Sequence, residues 1–271
     1  MDPGEKLPTE VAPRRVVLCA DDFGMLPEVN EGILRLAAAG RITAVSCLVE
    51  GPAWSLGTAD LARISGQADI GLHLFLGTGS GGGALAFAAR GALGLVDASW
   101  VGRQITAQLD RFERDCGRPP AFVDGHHHVH QMWPVREVLL GALRERYPER
   151  VPYVRNTVPL RSRGAKGAVI AALGGHALLR RLREASIPHN PDFAGVYDLS
   201  ARSDYPSLMR GWLGAIADRG LLMCHPGLQG GSGDAAAAAR IAELRHLESD
   251  RFGEDCRAGL VRLVRPSETM A

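Results

Sequence analysis

The sequence predicts an α/β protein that folds as a single domain around a mainly parallel sheet. Short runs rich in β-branched residues alternate with longer helical patterns, which is typical of repeated βαβ units. The chain has 271 residues, of which 46% are hydrophobic and 23% charged, enough to bury one large core. Polar residues follow several predicted strands. In an α/β barrel of this length the carboxyl ends of the strands face one mouth, so we expect these residues to converge there.

The individual elements can be assigned in chain order. The first helix is predicted from Pro27 to Ala39, because proline suits a first helical turn and Gly40 a helix end. Later helices are predicted at 61–65, 99–115, 134–147, 164–185, 205–219 and 234–249. Strands are predicted at 15–22, 42–50, 69–76, 121–129, 152–156, 193–199 and 220–227, and a short apolar run, 258–264, follows the last helix.

Two segments fall outside this pattern. Residues 1–14 are polar and rich in proline, and we expect a flexible tail that precedes one domain at 15–271. Residues 77–98 contain too many glycines for a regular element and too many apolar residues for a plain linker. A mobile lid or substrate loop is predicted there.

Charge and composition exclude several classes of protein. There are 31 basic and 30 acidic residues, so the chain has no overall field that would attract nucleic acid or an anionic membrane. No apolar run is long enough to span a membrane, and the N-terminus lacks the apolar core of a signal peptide. The five cysteines are odd in number and form no CxxC pair, which indicates reduced thiols. We therefore expect a cytoplasmic protein that acts on a small molecule.

The stretch "FVDGHHHVHQMW" concentrates four of the nine histidines of the chain. In an extended strand His126, His128 and His130 would share one face, because side chains alternate between faces. One or two of them could then bind a common Zn²⁺, Fe²⁺, Mn²⁺ or similar divalent ion together with a carboxylate. The alternative is a polar strand end whose histidines only form hydrogen bonds to loops.

Three other motifs allow a structural or a chemical interpretation. Adjacent Asp21 and Asp22 repel each other unless a cation separates their roles, but one of them could simply cap the following helix. His73 lies in an apolar strand and could be a satisfied core histidine or a metal ligand. His225 precedes Pro-Gly and could belong only to a turn.

Taken together, these motifs resemble the YdjC-like carbohydrate deacetylases, which include chitooligosaccharide deacetylases and the deacetylase associated with hopanoid biosynthesis. The similar segments, in order, are "ADDFG" at 20–24, "GLHL" at 71–74, "VDGHHHVH" at 123–130 and "CHPG" at 224–227. Residues 193–209 also look like the hopanoid-type branch. The resemblance implies a distorted TIM-like barrel with fewer than eight regular strands, which removes an acetyl group from an N-acetylated sugar or sugar conjugate.

The resemblance also implies roles for five residues. Asp22, His73 and His126 would bind one divalent metal ion, for which Mg²⁺, Zn²⁺ and Mn²⁺ are all candidates. Asp21 would act as general base and His225 as general acid. These roles agree with the needs of amide hydrolysis, which requires a Lewis acid, an activated water and a proton for the departing amine.

Five further residues are candidates for substrate contact. His128 and His130 would bind substrate, orient the metal ligands or tune Asp21. Arg155 and Asn156 end a predicted strand at the same rim and could bind sugar hydroxyls. Tyr197 could stack on a sugar face, although packing is the commoner role of such a ring.

Two other classes of function stay open from the sequence. Two histidines and one carboxylate could instead serve another metal-dependent hydrolase or an Fe²⁺ oxygenase. A non-catalytic sugar-binding or metal-binding module is the third class. Asp21 and His225 favour hydrolysis, because an oxygenase has no evident need for this acid–base pair. The sequence leaves the oligomeric state open, and a homodimer is common among enzymes of this kind.

Overall fold

In the part of the chain that the structure describes, eight parallel strands form one curved sheet. The computed structural model describes residues 12–77, 83–228 and 234–270. The strands are β1 (Arg14–Phe23), β2 (Ala44–Cys47), β3 (Asp69–Leu74), β4 (Phe122–Gly125), β5 (Tyr153–Val154), β6 (Phe193–Ala194), β7 (Gly220–Cys224) and β8 (Val261–Leu263). Their order is β5-β4-β3-β2-β1-β7-β6, and β8 pairs with the beginning of β1.

Helices connect the strands and cover the outside of the sheet. They are α1 (Pro27–Ala38), α2 (Trp54–Gly57), α3 (Leu61–Ile64), α4 (Gly83–Ala92), α5 (Ala98–Cys116), α6 (Val135–Arg146), α7 (Ala165–Ile170), α8 (His176–Glu184), α9 (Tyr205–Ala215), α10 (Ala237–Glu248), α11 (Asp250–Ala258) and α12 (Pro266–Thr269). Short 3₁₀ segments at Thr58–Asp60 and His126–Gln131 and a π turn at Ala171–Gly175 complete the described elements.

The sheet curls into a half-barrel, which confirms the predicted α/β fold and its likeness to a distorted TIM barrel. The strands β5 and β6 are two residues long, and they are not paired with each other in the described part of the chain. The half-barrel therefore has an open side, where the connections after β5 and before β6 replace a continuous ladder.

The alternation of side chains along β1 separates two apolar clusters. Val16, Leu18 and Ala20 pack in the large cluster that the helices share, whereas Val17 and Cys19 belong to a smaller cluster inside the barrel. All five side chains are fully buried. Both faces of β1 are thus covered, as expected of a parallel strand. The same alternation continues through the two aspartates that end the strand.

The fourth strand is shorter than predicted. It ends at Gly125, and the backbone turns through His126–Gln131, where His127 (φ 52°) and His128 (φ 59°) adopt left-handed conformations. An extended strand with His126, His128 and His130 on one face is therefore wrong. The reason is that two successive left-handed residues reverse the path of the chain, which ends the two-residue period of a strand.

Two further segments differ from their predicted form. The helix predicted at 164–185 is two helices, α7 and α8, separated by a kink at Gly174 (φ 109°), where the backbone closely approaches the Gln131 carbonyl. In the glycine-rich stretch 77–98, residues 78–82 lie outside the described residues, whereas α4 is a regular helix that composition did not predict. Of the predicted tail, residues 1–11 lie outside the described residues, and Arg14 already belongs to β1.

Within the described ranges, no helix combines the length and apolar character needed to cross a bilayer. The cysteines are free thiols, as the sequence predicts: Cys19, Cys47, Cys116, Cys224 and Cys256.

Replacement of Gly24 by alanine is expected to destabilise the fold by more than about 2 kcal/mol, because the backbone there is left-handed (φ 100°) and an added Cβ would lie 2.5 Å from the Leu48 carbonyl oxygen. Urea unfolding monitored by circular dichroism measures this change. Gly66→Ala is the matched control, because a Cβ at Gly66 meets no atom within 4 Å. Equal stability of the two variants would contradict the prediction.

Candidate active site

A cavity of about 500 Å³ opens at the carboxyl ends of the strands. Residues from the ends of β1, β3, β4, β6 and β7 line it, together with residues from α7 and the start of α10. Seven of the ten residues that the sequence singles out are among them: Asp21, Asp22, His73, His126, His128, Tyr197 and His225. The structure therefore brings together side chains that are up to about two hundred residues apart in the chain.

Asp22, His73 and His126 form a group with the geometry of a metal site. Oδ1 of Asp22 lies 3.0 Å from Nδ1 of His126 and 3.6 Å from Nε2 of His73. Each residue offers a ligand atom, and these three atoms lie within 4.8 Å of one another. Two imidazole nitrogens and one carboxylate oxygen suit a divalent ion and leave coordination positions open. The three residues fit the metal that the resemblance implies.

His73 is oriented by a carboxylate behind it. Its Nδ1 donates to Oδ1 of Asp124 at 2.6 Å, and the Ser46 hydroxyl donates to the same oxygen at 2.5 Å. Nε2 of His73 is thereby turned toward Asp22, the arrangement by which a buried acid usually fixes a metal-binding histidine. Burial acts against the charged form, but Asp124 and the other carboxylates raise the pKa of His73 above its usual value.

Asp21 is held by a buried arginine. Arg155 is fully buried, and its two terminal nitrogens donate to the two carboxylate oxygens of Asp21 at 2.7 and 2.6 Å. The same guanidinium contacts Asp124 and the thiol of Cys19. Cys19, Asp21 and Asp124 also come close enough to hold a metal. That group does not fit a second ion, because the guanidinium already provides its positive charge.

Asp22 adopts a left-handed backbone conformation (φ 72°) that turns its side chain toward the cavity histidines. Its second oxygen, Oδ2, accepts a hydrogen bond from Arg240 at 2.7 Å. Burial acts against ionisation, but His126 and Arg240 hold the pKa of Asp22 well below its usual range. Asp22 is therefore an anion at neutral pH, as a metal ligand must be.

His225 follows β7 and faces the cavity beside Asp22. Its backbone N–H donates to Glu243 at 2.5 Å, and the Tyr197 hydroxyl donates to the other Glu243 oxygen at 2.5 Å. Nδ1 of His225 is buried and has no partner within the described part of the chain. Burial lowers the pKa of His225, although Asp22 acts in the opposite direction.

Three of the predicted substrate-binding residues do not reach the cavity. His130, Arg155 and Asn156 are fully buried, and each forms hydrogen bonds to other protein groups. Nε2 of His130 lies 3.0 Å from the Arg155 carbonyl oxygen, and Asn156 is bonded to Asn190. These three residues are not among those that line the cavity, so their contact with substrate stays a prediction.

Sequence reasoning missed Arg240 and Glu243. Both lie on α10, three residues apart, and both are buried although helix 234–249 looks like an ordinary alanine-rich surface helix. A signal was present: the two charged residues share a helix face with the buried Leu244 and Leu247. A charge within an apolar helix face indicates a buried partner elsewhere in the fold.

Comparisons with known proteins agree with the fold and the motifs. Residues 15–258 match the model of the family described as YdjC-like protein. A carbohydrate deacetylase of Mus musculus is 37% identical over 147 residues, which are 48% of this chain and 47% of the relative. A chitooligosaccharide deacetylase of Klebsiella pneumoniae strain 342 is 29% identical over 148 residues, covering 49% of this chain and 57% of the relative. The chain thus spans about half the length of the curated relatives it matches.

A solved structure shares the whole architecture. It is the crystal structure of an Enterococcus faecalis V583 protein that is suggested to cleave cellobiose phosphate. The TM-score is 0.67 at 20% identity, and the superposition covers 95% of this chain and 99% of that chain. At this identity the similarity establishes a common fold.

The Glu243 carboxyl gives the protein a stability that depends on pH. Burial raises its pKa to about 7 in the folded protein, from 4.5 without such effects. The folded protein therefore keeps the Glu243 proton to a higher pH than the unfolded chain does. The contribution of protonated Glu243 to stability is complete below about pH 4.5 and is lost as the pH rises toward 7. The melting temperature of the wild type minus that of Glu243→Gln is expected to decrease from pH 5 to pH 8. Scanning calorimetry in the presence of a metal chelator measures this difference. Glu254→Gln, an exposed control, should show no such trend, and a constant difference for Glu243→Gln would refute the prediction.

Proposed function

Because the chain belongs to the YdjC-like protein family, we propose that it hydrolyses the N-acetyl group of an acetylated sugar with the help of one divalent metal ion. Relatives named carbohydrate deacetylase and chitooligosaccharide deacetylase support this activity. The observation that carries the proposal is the content of a single cavity: a metal-binding group, a separately held carboxylate and a buried histidine. These are the components that amide hydrolysis requires.

The proposed reaction adds water to the acetyl carbonyl carbon and breaks the bond between that carbon and nitrogen, which yields acetate and a free amine. A divalent ion at Asp22, His73 and His126, with Zn²⁺, Mg²⁺ and Mn²⁺ as candidates, would act as the Lewis acid for the carbonyl oxygen. Asp124 and Ser46 keep the His73 ring in the orientation that binding requires.

Asp21 is proposed to be the general base. Its carboxylate lines the cavity but is not part of the metal-binding group. The two hydrogen bonds from Arg155 fix the plane of the carboxylate and stabilise its negative charge. Asp21 can then accept a proton from the attacking water without a change in side-chain conformation, which is the advantage of a rigidly placed base.

His225 is proposed to be the general acid. The leaving amine needs a proton, and the imidazole of His225 lies in the same cavity with Nδ1 free of protein partners among the described residues. Glu243 holds the backbone of His225 and thus fixes the turn that carries the ring. In this proposal Asp21 removes a proton from the attacking water, and the His225 ring passes a proton on to the departing nitrogen.

His128 and Tyr197 are proposed to contact the sugar. Both line the cavity, and burial together with His130 lowers the pKa of His128 well below its usual value, so that the ring is neutral. The Tyr197 hydroxyl is occupied by Glu243, so this residue offers mainly its ring. Neutral imidazole and aromatic surface suit an uncharged sugar.

The apolar part of the cavity bears on the substrate class. Its lining includes six large apolar side chains, Met25, Met132, Ile170, Leu173, Leu199 and Met223. A chitooligosaccharide has little apolar surface to cover them, whereas a lipid conjugate does. We therefore propose an N-acetylglucosaminyl lipid, such as a hopanoid conjugate, as the preferred substrate, and a chitooligosaccharide as a poorer one.

Release of acetate tests the proposed activity directly. Protein stripped of metal is expected to be inactive, and reloading with Zn²⁺, Mn²⁺ or Mg²⁺ is expected to restore acetate release from an N-acetylglucosaminyl lipid more than from diacetylchitobiose. Asp22→Ala serves as the control, because elemental analysis should find no stoichiometric metal in it and no acetate should form. Oxygen consumption by the Fe²⁺-loaded protein with an oxoacid, without acetate from either sugar, would instead identify an oxygenase.

Asp21→Asn is expected to retain metal and to lose turnover by ~10²-fold or more, because an amide cannot accept the proton that a positioned base removes. Elemental analysis and steady-state acetate release measure the two properties separately. Near-normal turnover of this variant, with its metal bound, would mean that another group activates the water.

A further inference from the structure

The buried face of α10 contributes a cation to the cavity wall. Arg240 is 4% exposed, and its guanidinium lines the cavity beside the metal-binding group. A buried guanidinium is retained only where its donors find acceptors, because it cannot lose its charge. The groups that accept hydrogen bonds from Arg240 therefore indicate its role in the site.

The guanidinium joins three segments that are distant in sequence. Nη2 donates to Oδ2 of Asp22 at 2.7 Å at the end of β1. Nε donates to Asp234 at 2.9 Å, just before α10, and Nη1 donates to the His225 carbonyl oxygen at 3.4 Å. Nη2 also contacts the Met25 sulfur at 3.2 Å. Each nitrogen of Arg240 thus already has an acceptor among the described residues.

The contact with Arg240 gives the two carboxylate oxygens of Asp22 different partners. Oδ1 faces His126 and His73 at 3.0 and 3.6 Å, whereas Oδ2 is occupied by the guanidinium. A free carboxylate can bind a cation through both oxygens and would then use one more coordination position. Only Oδ1 is available while Arg240 stays in place.

We propose that Arg240 is a positioning residue that restricts Asp22 to binding the metal through Oδ1 alone, which keeps coordination positions open for water and substrate. The inference rests on the metal site of the proposed function. It has a second consequence, since the guanidinium places a positive charge near the ion. Arg240 therefore weakens metal binding relative to the three ligands alone while it favours turnover.

This combination distinguishes positioning from a merely structural role. Loss of a structural residue would disorder the site, so metal affinity and turnover would fall together. Loss of Arg240 frees Oδ2 and removes a repulsive charge, so metal affinity should be unchanged or higher while turnover falls. The two quantities thus move in different directions only if the proposal holds.

The test compares Arg240→Met, Arg240→Lys and the control Arg245→Met, whose side chain is exposed on the same helix. Each protein is loaded with Co²⁺, whose visible absorption weakens as its coordination number rises. Arg240→Met is expected to show weaker absorption than wild type, equal or tighter Co²⁺ and Zn²⁺ binding by calorimetry, and turnover lower by ~10–100-fold. Arg240→Lys keeps the charge with fewer directed donors and should recover part of the turnover.

Several results would overturn the proposal. Unchanged absorption and turnover in Arg240→Met would show that Asp22 needs no such restraint. A parallel loss of affinity and turnover would assign Arg240 a structural role, and if Arg240→Met does not fold, a parallel loss in Arg240→Lys has the same meaning. If the wild type releases no acetate, the proposed reaction is refuted. The Co²⁺ spectrum and the metal-binding constants would still determine the role of Arg240.

Discussion

The ion pairs of Arg155 are the interaction on which the candidate active site depends. Two carboxylates, Asp21 and Asp124, are buried within reach of the same guanidinium, and without that cation their mutual repulsion and desolvation would favour protonation of one of them. Instead Arg155, although burial acts the other way, holds the pKa of Asp124 well below its usual range. An ionised Asp124 accepts from His73, and the backbone of Arg155 also contacts His130. One buried cation thus supports the proposed base Asp21, the orientation of His73 and the turn that contains His130.

The opposite side of the cavity is organised by α10. Arg240 contacts Asp22 and Glu243 contacts the His225 turn, so a single helix is bonded both to the proposed metal ligand and to the proposed acid. The two arginines have complementary positions, because Arg155 holds the first aspartate of the pair and Arg240 the second. The like-charge conflict of adjacent aspartates is resolved by two cations, each directed to a different carboxylate, and this leaves one oxygen of Asp22 facing the histidines.

Much of the fold and part of the site could be predicted from the sequence, and there are physical reasons why the rest could not. The strands are visible because β1 and its neighbours are buried on both faces, and the residues after them converge because parallel strands share one mouth. The turn at His126–Gln131 was missed because left-handed histidines leave no period in the sequence. The sequence predicts Arg155 at the rim because it shows that a residue ends a strand but not how deeply its side chain is buried. Arg240 and Glu243 were missed because their partners lie on other elements, and only the fold reveals that pairing.

The left-handed backbone at Asp22, His127 and His128 has a consequence for how the protein can change over time. Such conformations cost of order 1 kcal/mol or more in residues other than glycine, although aspartate and histidine tolerate them better than most. Selection for stability alone would therefore favour glycine at these positions, and with it the loss of the side chains that face the cavity. Asp22 in this conformation therefore costs some stability, and that cost is what places a carboxylate beside the cavity histidines.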